Sequence, residues 1–183
     1  MQEKIIFLVG YMGSGKTTVG QLLAEKLGFK HIDLDDAIEL STKSSIPVLF
    51  ETLGEAGFRE IEKKLLRSYA AKKKLVISTG GGCAAYDDNI QWMNEQGISV
   101  YLRCHPGVLF HRIAPEKHKR PLLSKLEDVD IMDYLLSSIK KRLPFYTKST
   151  ITTNGELAPI IVTNNIIKEL SDATTSSFQD RKN

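Results

Sequence analysis

The sequence has little of what marks secreted, membrane-bound or disulfide-stabilised proteins. Its 183 residues include two cysteines, Cys83 and Cys104, which are too few for a disulfide framework and show no metal-binding spacing. The N-terminal apolar run, from Ile5 to Val9, is too short for a signal-peptide core or a membrane span. We therefore expect a cytoplasmic protein with no membrane partner.

The chain also lacks an excess of one charge. Its 25 lysines and arginines against 22 aspartates and glutamates give a formal net charge of +3, and the basic residues are dispersed along the sequence. This distribution suits anionic small molecules at least as well as nucleic acid. We expect a small-molecule substrate and no nucleic-acid partner.

What the chain does contain is an alternation of short apolar runs with longer segments whose apolar residues have helical spacing. This alternation predicts an α/β fold with parallel strands and helical crossovers. We expect three layers, in which helices cover both faces of a five-stranded parallel sheet. The length favours a single domain, residues 1–171, and the polar residues 172–183 are expected to form a flexible tail.

The boundaries of these elements follow from the spacing of apolar residues and from glycine and proline. The predicted strands are Ile5–Val9, Phe29–Leu34, Leu75–Thr79, Ile98–Leu102 and Thr150–Thr153. The predicted helices are Gly15–Leu27, a helical region from Ser45 to Ala71 broken near Gly54 and Gly57, Val129–Leu143 and Leu157–Leu170. Pro159 can stand only in the first turn of the last helix, because proline has no N–H to donate.

The run GYMGSGKT, from Gly10 to Thr17, lies between the first predicted strand and the first predicted helix. Its glycine spacing, followed by lysine and threonine, is that of a phosphate-binding loop, whose amides point at phosphate oxygens. Lys16 would meet the β- and γ-phosphates, and the Thr17 hydroxyl would join a magnesium shell. The predicted nucleotide-binding residues here are Gly13, Ser14, Gly15, Lys16, Thr17 and Thr18. The alternative is a glycine-rich turn with a chance lysine.

Two carboxylates, Asp33 and Asp35, follow the second predicted strand at the sheet edge that also carries the phosphate loop. In an extended segment, side chains two residues apart point to the same side. One carboxylate could then orient magnesium and the other an acceptor hydroxyl, so Thr17 and Asp33 are the predicted metal-site residues. The alternative is a solvated acidic turn in which Asp36 caps a helix.

Six segments together resemble the shikimate kinase family in order and spacing. They are GYMGSGKTTVG (Gly10–Gly20), DLD (Asp33–Asp35), SIPVLFETLGEAGFRE (Ser45–Glu60), STGGG (Ser78–Gly82), RPLL (Arg120–Leu123) and RLPFY (Arg142–Tyr146). The resemblance implies a P-loop kinase fold with a mobile lid at about residues 111–125. It also implies that the γ-phosphoryl group of ATP, bound with Mg²⁺, passes to the 3-hydroxyl of shikimate. Members of this family are often monomeric, so we expect a monomer.

The resemblance further implies which residues hold the substrate. The substrate-binding residues would be Asp33, Asp35, Arg59, Gly80, Gly81, Gly82 and Arg142. Arg59 and Arg142 would grip the carboxylate of shikimate, which a planar guanidinium does at two points. Asp35 would hold the reacting hydroxyl and accept its proton, and the glycines would let the backbone approach the ring.

Two arginines of the expected lid complete the implied site. Arg120 would close over the phosphates and stabilise the transferred charge, and Arg112 would contact adenine. The catalytic residues implied are therefore Lys16, Asp35 and Arg120. A single arginine is usually a solvated surface residue, so these roles depend on the motifs occurring together.

Three other functions are compatible with parts of the sequence. A gluconate or nucleoside-monophosphate kinase shares the loop and the lid but needs a different acceptor pocket. A nucleotide-dependent switch is disfavoured because the sequence has no Asn-Lys-x-Asp guanine motif. A catalytically idle binding module is disfavoured because the charged residues of the motifs are all present.

Overall fold

The computed structural model describes residues 5–119, 123 and 128–179. Its strands are β1 (Ile5–Val9), β2 (Lys30–Asp33), β3 (Leu75–Ser78), β4 (Gly97–Arg103) and β5 (Ile151–Asn154). Its α-helices are α1 (Lys16–Leu27), α2 (Leu34–Thr42), α3 (Ile46–Arg67), α4 (Asn89–Gln96), α5 (Pro106–Ile113), α6 (Asp128–Tyr146) and α7 (Pro159–Gln179). Short 3₁₀ helices span Cys83–Ala85 and Ala114–Lys119.

The strands form one sheet in the order β2-β3-β1-β4-β5, and every pair is parallel. Parallel strands place all their carboxyl ends at one edge, where ligands bind in open α/β sheets. The phosphate loop leaves the central strand, β1, at this edge. The segments that follow β2 and β3 leave beside it, so residues far apart in the sequence meet there.

The central strand is buried on both faces, as its continuous apolar sequence predicts. Side chains of Ile5, Phe7 and Val9 belong to one apolar cluster, which includes residues of α2 to α6. Those of Ile6 and Leu8 belong to the other, which includes residues of α1 and α7. The predicted α/β class, with three layers and five parallel strands, is confirmed.

Three helices were not predicted: α2, α4 and α5. Each has eight or nine residues, too few for a clear helical repeat of apolar positions. The start of α2 also corrects the expected geometry of the acidic segment, because Asp35 lies in a helix rather than in an extended run. The capping residue is Asp33, whose side chain accepts from the Asp35 N–H, and not Asp36.

Most other boundaries differ from the prediction by one to three residues, and two differences have a clear physical reason. The break in α3 occurs at Gly54, where φ is 68° and ψ is 177°, whereas Gly57 stays helical, since glycine alone weakens a helix without ending it. The last helix begins at Pro159, two residues after the predicted start, which puts this proline in the first turn as expected. It continues to Gln179, so most of the expected tail is helical. Polar composition does not end a helix when no glycine or proline interrupts its hydrogen bonds.

The expected lid is described only in part. Residues 114–119 form a 3₁₀ helix after α5, and Leu123 is buried. Arg120 lies outside the described residues, as do residues 180–183 of the expected tail. No helix within the described ranges has the length and apolar character needed to cross a membrane.

The close packing of β1 against β4 generates a prediction about Gly97. Gly97 pairs with Ile5, and a Cβ at this position would collide with the Ile5 carbonyl group. We expect Gly97→Ala to lower the free energy of unfolding by about 1–3 kcal/mol, as overpacking does. Urea unfolding measures this change.

The matched control is Gly107→Ala in the first turn of α5. There the nearest atom to an added Cβ is His105 Nδ1 at 3.3 Å, on a side chain that can shift. We expect a change of less than about 1 kcal/mol, because alanine favours helix over glycine. Equal losses of stability in the two variants would contradict this account of the β1–β4 contact.

Candidate active site

The phosphate loop folds tightly around its own lysine, Lys16. Gly13 and Gly15 have φ angles of 79° and 90°, a conformation that other residues rarely adopt. The Nζ of Lys16 donates to the carbonyl oxygens of Gly10, at 2.9 Å, and of Tyr11, at 2.8 Å. The ammonium group is therefore held over the loop, at the N-terminus of α1, where backbone N–H groups and the helix dipole favour an anion.

The hydroxyl and carboxylate predicted for magnesium lie together. Thr17 Oγ1 donates to Asp33 Oδ2 at 2.7 Å, while Asp33 Oδ1 accepts from the N–H of Asp35 at 3.0 Å. Both are hard oxygen donors, and Mg²⁺ typically takes only one or two protein oxygens besides phosphate and water. These two residues fit such an ion. Thr18, predicted for the nucleotide, lies exposed in the same turn of α1.

Asp35 lies beside two other predicted acceptor-side residues, because its N–H donates to Asp33 Oδ1 and a Cβ added to Gly80 would lie 3.0 Å from its Oδ1. Burial raises the pKa of its carboxyl group, and the negative charge of Asp33 raises this pKa further, while Lys16 and Arg59 lower it. Charged groups of both the nucleotide side and the acceptor side therefore influence the pKa of Asp35. A carboxylate with a raised pKa is a better proton acceptor than an ordinary one.

Arg59 is held by two carboxylates on its own helix. It is 7% exposed, and its Nη1 lies 2.6 Å from Glu62 Oε2 and its Nη2 3.3 Å from Glu55 Oε1. The spacings of three and four residues place these side chains on one face of α3. The guanidinium group is therefore fixed in place within the protein.

Glu62 is a candidate site residue that the motifs did not identify. Its side chain is fully buried, and its Oε1 has no hydrogen-bond partner in the described part of the chain. Burial raises the pKa of Glu62 to about 7, although Arg59 lowers it. The available signal was its position three residues after Arg59, which puts the two on one helical face.

The glycine triplet after β3 allows the backbone to lie against these side chains. A Cβ on Gly80 would collide with Glu62 and lie 3.0 Å from Asp35 Oδ1, and one on Gly82 would collide with Arg59. Any larger residue would displace the charged groups. The backbone of this segment therefore lies close to the side chains of Glu62 and Arg59, and its approach to a substrate ring stays a prediction.

Gly81 faces the second predicted arginine. A Cβ on Gly81 would lie 3.6 Å from Arg142 Nη1, and the carbonyl oxygen of Gly81 accepts from the buried hydroxyl of Tyr146. The guanidinium group of Arg142 lies over the Tyr11 ring, with Cζ 5.2 Å from its centroid. The structure thus brings Arg59 and Arg142 to adjacent residues of one backbone segment.

Arg112 links the loop to the far side of the site. Its guanidinium donates to the carbonyl oxygens of Gly13 and Gly155, both at 3.2 Å, and of Glu156, at 3.3 Å. It therefore joins the phosphate loop to the turn that follows β5. Arg120, predicted to close over the phosphates, lies outside the described residues.

Comparisons with known proteins identify the family of the chain. A family model described as shikimate kinase matches residues 12–171. A shikimate kinase of Bacteroides thetaiotaomicron is 45% identical over 151 residues, which are 82% of this chain and 86% of the relative.

Solved structures give the same result. A crystal structure of shikimate kinase from Bacteroides thetaiotaomicron has a TM-score of 0.84 and 40% identity, covering 94% of this chain and 98% of the other. Shikimate kinase from Acinetobacter baumannii, solved in complex with shikimate, has a TM-score of 0.83 and 33% identity, covering 96% and 95%. The chain therefore belongs to the shikimate kinase family.

Proposed function

We propose that this chain transfers the γ-phosphoryl group of ATP to the 3-hydroxyl of shikimate, giving shikimate 3-phosphate and ADP. One observation carries the proposal. The side chains of Arg59 and Arg142 lie against Gly82 and Gly81, and Asp35 lies beside Gly80, at the sheet edge that also carries the phosphate loop. The two arginines suit the carboxylate of an acceptor molecule, and Asp35 suits its reactive hydroxyl. The structure of a relative in complex with shikimate supports the choice of acceptor.

On the nucleotide side, the loop amides and Lys16 would hold the β- and γ-phosphates. The proximity of Thr17 Oγ1 to Asp33 Oδ2, at 2.7 Å, supports these two as the residues that hold magnesium, directly or through water. A bound magnesium ion supplies neutralisation of phosphate charge. The ammonium group of Lys16, which donates to the carbonyl oxygens of Gly10 and Tyr11, would donate to the phosphates instead when the nucleotide binds.

On the acceptor side, Arg59 and Arg142 would bind the carboxylate of shikimate, because guanidinium groups pair with it through two parallel hydrogen bonds. Asp35 would orient the 3-hydroxyl and accept its proton as the bond to phosphorus forms. Phosphoryl transfer needs mainly positioning and charge neutralisation. Side chains that the protein holds rigidly supply both the positioning and the neutralisation.

Glu62 would act on the acceptor indirectly. Its Oε2 holds Arg59 at 2.6 Å, so it would keep the guanidinium facing the glycine triplet before the acceptor arrives. We assign Glu62 as a positioning residue rather than a catalytic one.

The remaining roles extend the proposal. Arg120 would stabilise charge on the transferred group and Arg112 would lie at the edge of the adenine site, which its bonds to the loop and to the turn after β5 support. We also propose that the protein acts as a monomer in the cytoplasm, on soluble small molecules. The free, buried thiols of Cys83 and Cys104 suit a reducing compartment.

Replacing the proposed base tests the proposed function. We expect Asp35→Asn to lower shikimate-dependent release of ADP by about 10²- to 10⁴-fold, the usual contribution of a general base, with an unchanged melting temperature within a few degrees. Asp36→Asn, an exposed neighbour on the same helical turn, is the control and should keep near-normal turnover. Near-normal turnover in Asp35→Asn would contradict its role.

A conservative replacement tests the carboxylate clamp. Arg59→Lys keeps the charge but loses two-point binding, so we expect the KM for shikimate to rise about tenfold or more while the KM for ATP changes little. Arg67→Lys, on the same helix but paired with Asp88, should change neither KM. Equal increases in both KM values for Arg59→Lys would indicate general destabilisation instead.

The raised pKa of Glu62 predicts a pH dependence of stability. A carboxyl group with a pKa of about 7 when folded, well above its usual value, binds more protons in the folded protein between roughly pH 4.5 and 7. Its contribution to stability is therefore present below this window and is lost as the pH rises through it. Glu62→Gln has no such group, so its melting temperature relative to the unsubstituted protein should rise between pH 5 and pH 8.

Thermal unfolding of the two proteins in parallel measures this difference. The effects of other titrating groups on the melting temperature largely cancel, because both proteins contain those groups. A difference in melting temperature that stays constant from pH 5 to pH 8 would show that the pKa of Glu62 is not raised.

A further inference from the structure

A hydrogen-bond chain from two strands ends on the helix that carries the phosphate loop. Ser78, the last residue of β3, donates from Oγ to the carbonyl oxygen of Lys16 at 2.9 Å. The same Oγ lies 3.0 Å from Nε2 of His31, on β2. Ser78 is 2% exposed and His31 is partly buried. The roles described above assign no function to either side chain.

The number of protons in this chain determines its direction. A carbonyl oxygen can only accept a hydrogen bond, and a serine hydroxyl has one proton, which Ser78 gives to Lys16. The Oγ atom must then accept from His31, so Nε2 of His31 carries a proton. This holds for the neutral Nε2–H tautomer and for the imidazolium alike.

A glycine in α1 makes room for the chain. A Cβ on Gly20 would lie 2.6 Å from Ser78 Oγ and 2.7 Å from His31 Nε2. Glycine is unfavourable in a helix interior compared with alanine. Here it allows α1 to approach β2 and β3 closely enough for the Lys16 carbonyl to be reached by a side chain.

We propose that His31 is a positioning residue for the nucleotide, acting through Ser78 to fix the Lys16 carbonyl and with it the first turn of α1. The neighbouring residue of that turn, Thr17, is tied separately to Asp33 by a 2.7 Å hydrogen bond. Two successive residues are thus anchored to the sheet. The amides that would bind phosphate belong to this turn, so its orientation affects nucleotide affinity. The proposal rests on the proposed nucleotide site and is independent of the acceptor.

The affinity for MgADP, measured by calorimetry without any acceptor, tests this role. We expect Ser78→Ala and His31→Phe each to weaken MgADP binding about three- to tenfold, the effect of losing one neutral hydrogen bond. His31→Gln keeps an N–H donor on the side chain and should stay within about twofold of the unsubstituted protein. The double variant should bind no more weakly than Ser78→Ala, because both changes break one chain.

The matched control is Ser99→Ala. Ser99 is also a fully buried strand serine, and it hydrogen-bonds Asn94 and the N–H of Thr150 instead of α1. It should lower stability without changing MgADP affinity. If Ser78→Ala and His31→Phe bind MgADP as Ser99→Ala does, or if their losses add in the double variant, the positioning role is wrong.

The same measurements separate this inference from the proposed function. A protein that binds MgADP, responds to the His31 and Ser78 changes and yet fails to phosphorylate shikimate would overturn only the proposed acceptor. Long-range ¹H–¹⁵N spectra give an independent check. They should show a proton on Nε2 of His31, and the Nδ1–H tautomer would contradict the chain.

Discussion

A buried ion pair holds the acceptor side of the site together. Arg59 Nη1 and Glu62 Oε2 lie 2.6 Å apart on one face of α3, and water has little access to either group. Loss of Arg59 would leave the Glu62 carboxyl group buried without this partner, which is strongly destabilising, whereas loss of Glu62 would leave Arg59 with Glu55 alone. The pair therefore fixes the guanidinium against Gly82 before any ligand binds. Less side-chain freedom then remains to be lost when a carboxylate arrives.

The parallel sheet places this ion pair near the phosphate loop. Because β1, β2 and β3 end at the same edge, Lys16, Asp35 and Arg59 come close enough for the two cations to lower the pKa of Asp35 while burial raises it. The glycine triplet lets a third segment of backbone lie against them. Opposite charges held at fixed positions are what phosphoryl transfer requires, since its transition state needs neutralisation and alignment more than covalent chemistry.

Local features were predictable from the sequence, and features that depend on packing were not. The phosphate loop follows from glycine spacing between a strand and a helix, and the sheet from alternating apolar segments. The predicted geometry at Asp35 was wrong because the sequence pattern did not identify α2, the helix that Asp33 caps. Glu62 was missed because a helical glutamate is usually solvated, whereas the structure buries its side chain fully beside Arg59 and Gly80.

The choice of acceptor is tested by measuring which compound stimulates the release of ADP from MgATP. Purified protein would be given shikimate, gluconate, nucleoside monophosphates or water alone under the same conditions. We expect stimulation by shikimate only, because the two arginines and Asp35 together suit a carboxylate beside a reactive hydroxyl. Stimulation only by another acceptor, or release of ADP that does not depend on any acceptor, would contradict it.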